Sequence, residues 1–116
     1  LKPQSPELSR ALEALAQCAR RRGDLSSAQS AFQEAIAAVP GDRFFWADRG
    51  SLLQQLGVVR LEAGAILDAE VLLASAWGQA SRAGLAPCRV LEDLVRVHRV
   101  LGEEEDAIAY ESLGEE

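Results

Sequence analysis

His98 is the only histidine in the chain, and Cys18 and Cys88 are the only thiols. Any nucleophilic, acid–base or metal chemistry therefore has to be assembled from these three and the carboxylates. The two cysteines lie far apart in sequence, with neither metal-ligand spacing nor the context of a redox pair. They read as small packing residues in a reducing compartment, which predicts a cytoplasmic protein. His98 has no partner in a recognisable spacing and reads as a packed structural histidine rather than a general base or ligand. No Gly-rich phosphate loop and no paired His ligands occur. The expectation is a protein that is not an enzyme, with no cofactor and no metal site. The run Arg20-Arg21-Arg22 reads as the end of a helix, where cations complement the negative end of the dipole, rather than as a nucleic-acid patch.

The elements that carry these residues follow from one spacing that occurs three times, Leu-x2-Leu-x7-Gly-x4-Ala. It places Leu12, Leu15, Gly23 and Ala28 in register with Leu53, Leu56, Gly64 and Ala69, and with Leu91, Leu94, Gly102 and Ala107. Leu-x2-Leu puts two apolar groups on one helical face, and two turns later the Gly can take the left-handed conformation that ends a helix. After four intervening residues, a small Ala early in the next helix lets two antiparallel helices approach closely. Each unit is a helical hairpin, and Ala28 and Ala69 should be buried between helices. Helices are predicted near 7–22, 25–38, 42–63, 66–83, 88–101 and 104–113, with no alternating segment to make a strand.

This pattern resembles the tetratricopeptide repeat, whose signature is Trp-x2-Leu-Gly-x2-Tyr, then Ala-x3-Phe, Ala and Pro. The first unit matches through Leu12, Leu15, Ala16, Ala19, Ala28, Phe32, Ala35 and Pro40. The second has Leu53, Leu56, Gly57, Ala69, Leu73 and Ala76, with Arg60 in place of the aromatic and Ser81 in place of Pro. The third keeps Leu91, Leu94 and Ala107 but has Val95 in the small slot, His98 in the aromatic slot and Glu111 where Phe belongs. The resemblance implies an all-α fold, a right-handed superhelical stack of three hairpins forming a single domain over 1–116, with repeats about 9–42, 43–87 and 88–116. The weak third unit is what a terminal, solvent-facing repeat shows, and its last helix is expected to fray or to be completed by self-association through the C-terminal repeat or by following sequence.

In this family the first helix of each hairpin lines a concave groove. The corresponding slots here are Arg10, Glu13, Gln17, Arg20 and Arg21, then Ser51, Gln54, Val58, Leu61 and Glu62, then Arg89, Glu92, Arg96 and Arg99. Six are Arg, and guanidinium groups give planar, bidentate recognition of carboxylates, so the implied ligand is an acidic protein or peptide segment. The competing reading is that these are solvated helix residues, some neutralised by Glu13, Glu62 and Glu92. The Lys and Asn clamp of the chaperone-tail binders is missing, with Glu13 and Gln17 in its first positions and Asp93 in its last. The functional expectation is a protein-interaction module or scaffold. The alternative is a regulatory peptide-sensing helical domain of a larger signalling or transcription protein.

Composition bounds these readings. The 116 residues suit one domain, with no apolar run long enough to span a bilayer. Leu at position 1 and the absence of Met point to a piece of a longer chain. The net charge of −6 is uneven: residues 1–101 carry all 12 basic and 11 of the 18 acidic residues, and Glu103 to Glu116 carry the rest. A near-neutral body argues against RNA or DNA as partner. Glu103 to Asp106 read as first-turn carboxylates on a helix dipole, with an acidic docking tail as the alternative. The first two units are also spaced wider than the common repeat, with the excess at Arg43 to Arg49 after Pro40-Gly41-Asp42. Asp42 is a candidate N-cap, and Phe44, Phe45 and Trp46 are expected to anchor a long second hairpin, or else to form an exposed partner-binding patch.

Overall fold

The computed structural model describes residues 4–84 and 88–115, and those residues form six α-helices and one 3-10 turn with no strand. Helix α1 spans Pro6–Arg21, α2 Leu25–Ala38, α3 Trp46–Glu62, α4 Ile66–Arg82, α5 Cys88–Val100 and α6 Glu104–Glu115, with the 3-10 turn at Arg43–Phe45. The all-α expectation of about six helices is met. No described helix is long and apolar enough to cross a membrane.

Local chemistry explains where the helices begin and end. Ser5 caps α1, its hydroxyl accepting from Leu8 N–H at 3.2 Å, with Pro6 in the first turn, where a missing N–H costs nothing. Asp24 caps α2 by accepting from Ser27 N–H at 3.1 Å. Hydrogen bonds from the Ser27 side chain and backbone hold the Asp24 carboxyl below its ordinary pKa, so this cap is present at neutral pH and is lost as pH falls through the lowered value. The three glycines of the repeated spacing all sit in the left-handed region, Gly23 at φ 79°, Gly64 at 85° and Gly102 at 78°. Each turn closes by the same pair of bonds. The Gly N–H reaches back three residues, and the following N–H reaches back five, as in Asp24 N to Ala19 O at 2.9 Å and Ala65 N to Arg60 O at 2.9 Å.

The second hairpin starts differently from the expected helix over 42–63. Asp42 does act as a cap, but of the 3-10 turn, its carboxylate accepting from Phe44 N–H at 3.0 Å while Phe45 N–H bonds its carbonyl at 3.1 Å. Helix α3 then begins at Trp46. The aromatic triplet is split accordingly. Phe45 packs against the first core and Trp46 is half-buried, whereas Phe44 is 86% exposed and touches Phe45 only edge-on. An anchoring role for Phe44 is therefore corrected, because the 3-10 turn points it outward.

Each helix packs most extensively on its hairpin partner, and successive hairpins join through α2 on α3 and α4 on α5, so the order of packing is the order of the chain. Two apolar clusters result. The first joins Ala16, Ala19, Ala28, Phe32, Ala35, Val39, Leu52, Leu56 and Val59, and the second joins Ala69, Leu73, Ala76, Val90, Leu91, Leu94 and Val97. Leu56 and Leu94 thus pack on the hairpin before their own. Leu15 occupies the same slot in α1, where no described hairpin precedes it, and it is 62% exposed. The expectation that Leu15 shares a buried face with Leu12 is corrected for that reason. Cys18, read as a packing residue, is likewise exposed on α1.

Ala28 and Ala69 are completely buried, as expected. Gly57 marks an equally close approach of α3 to α4: a Cβ there would lie 2.8 Å from Leu73 Cγ. Ala28→Leu and Ala69→Leu should each lower stability by about 1–3 kcal/mol through overpacking. Chemical denaturation checks this, and unchanged midpoints for both variants would contradict the packing register.

Candidate binding groove

Helices α1, α3 and α5 expose one face to a common groove of about 800 Å³, lined by Glu13, Gln17, Arg20, Arg21, Ser51, Gln54, Gln55, Val58, Glu62, Arg89, Glu92, Asp93 and Arg96. The face is amphipathic by construction. Ala16 and Ala19 of α1, Leu52, Leu56 and Val59 of α3, and Leu91, Leu94 and Val97 of α5 are buried, which leaves the interleaved polar positions pointing into the groove.

Side-chain rungs tie one first helix to the next across it. Gln17 Nε2 donates to Gln55 Oε1 at 2.9 Å, and Gln55 Nε2 donates to Glu13 at 2.6 Å, linking α1 to α3. Arg20 adds an ion pair to Glu62 at 2.5 Å. From α3 to α5, Gln54 Nε2 donates to Asp93 Oδ2 at 2.8 Å, and the other Asp93 oxygen takes a longer contact from Arg96 at 3.4 Å. Asp93 is 6% exposed, so its carboxylate, largely cut off from water, relies on these two donors for its hydrogen bonds. The Arg20–Glu62 pair is half in solvent and is worth at most about 1 kcal/mol. Gln54→Ala should cost more, about 1–3 kcal/mol, because it strips the shorter bond from a buried carboxylate. Thermal or chemical unfolding measures it, and an unaltered midpoint would show that Asp93 does not need this donor.

Of the residues expected in the groove, Gln17, Arg20, Gln54, Val58, Arg89 and Arg96 line it. Arg10 does not. It lines a smaller crevice beside the groove with Pro6, Ser9, Val39, Pro40, Phe45 and Asp48, and the two spaces share Glu13 and Ser51. Arg99 is placed elsewhere altogether, since its guanidinium is paired with Glu104 and Glu111 of α6. Leu61 is also absent from the groove because it packs against the second apolar cluster. Gln55, which holds two of the rungs, was not among the expected positions. Its neighbour Gln54 occupied the groove slot, and one helical step of 100° leaves room for both on a broad concave face.

These placements change the electrostatics. Six arginines were expected to face the ligand, but the groove holds four, Arg20, Arg21, Arg89 and Arg96, against Glu13, Glu62, Glu92 and Asp93. The groove is balanced in charge rather than basic. Two of its cations are paired, while Arg21 and Arg89 have no ion pair among the described residues. Comparison with known protein families and with curated proteins finds no match for the chain.

Proposed function

We propose that this chain is a protein-interaction module, a tetratricopeptide-like stack of three hairpins that holds a segment of a partner protein in the groove between α1, α3 and α5. The observation that carries the reading is the groove itself: a continuous concave face with its apolar side turned to the core and its polar side held in place by cross-helix rungs. Rungs of this kind fix the side chains before a ligand arrives, which lowers the ordering cost of binding. Cytoplasmic placement and a non-catalytic role belong to the same proposal.

The balanced charge refines the ligand. Arg21 and Arg89 are the cations with bonding capacity to spare, and Glu92 stands beside Arg89 and Arg96 on α5. An extended segment that brings carboxylates to Arg21, Arg89 and Arg96 is the expected occupant, bound by charge-assisted bonds that weaken as salt rises.

The test is to recover partners on the purified chain without bias and titrate the bound segment as a peptide. Arg89→Glu and Arg96→Glu should each weaken binding at least about tenfold, about 1.4 kcal/mol. Arg99→Glu should leave affinity unchanged, since Arg99 faces α6. Equal affinity of wild type, Arg89→Glu and Arg96→Glu would remove the groove as the site.

A further inference from the structure

On the far side of α5 from the groove, the chain's one histidine is buried against carboxylates from two other segments. His98 is 4% exposed, and neither ring nitrogen has a hydrogen-bond partner among the described residues. Nδ1 lies 3.7 Å from a Glu103 oxygen, and Nε2 lies 4.0 Å from a Glu70 oxygen on α4. The ring stacks on Tyr110 with centroids 5.2 Å apart, and Trp77 meets that tyrosine edge-on. Asp106 completes the arrangement: a ligand atom each from His98, Glu103 and Asp106 lie within 4.8 Å of one another.

A buried imidazole with both nitrogens unsatisfied is costly, and proteins relieve that cost with a bonding partner. The environment says which kind. Glu70, Glu103 and Asp106 bring three carboxylates around one ring, and the two basic groups nearest in sequence are unavailable. Arg99 is held by Glu104 and Glu111, and Arg96 leans to Asp93 on the groove side. The N-terminus of α6 offsets only about half a charge.

We propose that His98 Nδ1, Glu103 and Asp106 form a binding site for a divalent transition-metal cation of the Zn²⁺ class. One imidazole and two carboxylates suit such an ion better than Mg²⁺ or Ca²⁺, which favour all-oxygen shells. Donor atoms about 2.0–2.2 Å from Zn²⁺ sit roughly 3.3–3.5 Å apart in a tetrahedron. The carboxylates of Glu103 and Asp106 are exposed and can close that gap by side-chain rotation, whereas the His98 ring is fixed by packing. Glu70, 4.0 Å from Nε2, is placed for the outer role: on closing to hydrogen-bond distance when the ion binds, it would accept from Nε2–H and hold the ring with Nδ1 turned to the metal. The site bridges the α5–α6 turn, and through Glu70 it ties that turn to α4. A cation here would secure the helix in which Glu111 replaces an apolar residue.

Because His98 is the only histidine, its imidazole nitrogens give an unambiguous nuclear magnetic resonance signal in the untagged chain. The experiment titrates Zn²⁺ into chain carrying Cys18→Ser and Cys88→Ser, with calorimetry alongside. A saturable shift of Nδ1 at one equivalent is expected, absent with equal Mg²⁺. Glu103→Gln and Asp106→Asn, both at exposed positions, should each weaken binding at least about tenfold, and Glu70→Gln should do so by about tenfold without removing the one-to-one stoichiometry. Glu104→Gln, which faces Arg99, should bind as the parent does. No saturable change at His98, an equal response to Mg²⁺, or full affinity in both Glu103→Gln and Asp106→Asn would overturn the site.

Discussion

Phe32→Ala is expected to lower stability by about 3–5 kcal/mol, a large part of the roughly 5–15 kcal/mol that holds a domain of this size together. Phe32 is fully buried where α1, α2 and α3 meet, and its surroundings include Ala16, Ala19, Ala28 and Ala35. An alanine has only its Cβ methyl and no rotatable side chain to swing into the space a lost ring leaves. Only the larger members of the cluster, such as Val39, Leu52 and Leu56, can shift toward the space, so much of the cavity term remains. Urea denaturation followed by circular dichroism measures the loss, and a midpoint shift worth less than about 1 kcal/mol would contradict the packing described for the first hairpin.

Leu94→Ala should cost about 2–5 kcal/mol, and its effect should be local. Leu94 is fully buried in the second cluster, and α5 packs almost entirely on α4 and α6. In an array where each hairpin touches only its neighbours, damage in one unit spreads by nearest-neighbour terms and fades with distance. Hydrogen exchange should therefore show α5 and α6 losing protection first, while α1 and α2 retain theirs. In the parent chain, the amides of α6 should already exchange faster than those of α4. Uniform loss of protection across all six helices in Leu94→Ala would mean that the chain behaves as one cooperative unit rather than as stacked repeats.

Helix positions and turn glycines were legible in the sequence because both depend on local chemistry. The left-handed glycine and the small residue five positions on each act through a short stretch of chain. The exposed Leu15 was not legible, since its slot is apolar in every unit and only the order of stacking decides whether a hairpin covers it. Phe44 failed for a related reason: the tight bonds of the 3-10 turn at Asp42 rotate it away from the core that Phe45 enters. In the groove, the positions that the family resemblance implied on α1 and α3 line it apart from Arg10 and Leu61. Arg99 does not, because its partners Glu104 and Glu111 come close only when α6 folds back along α5. The same fold-back brings Glu103 and Asp106 to His98, five and eight residues away in sequence and without a recognisable ligand spacing.

The proposed site for partner proteins is the concave face of α1, α3 and α5. Amide chemical-shift mapping of the isotope-labelled chain with a partner segment recovered without bias tests it most directly. The expected result is a continuous set of perturbed amides that includes Gln17, Gln54, Val58, Arg89 and Arg96, reduced together by raised salt. Perturbations confined to the opposite side, at exposed Leu67 and Val71 of α4 or at Phe44, would contradict it.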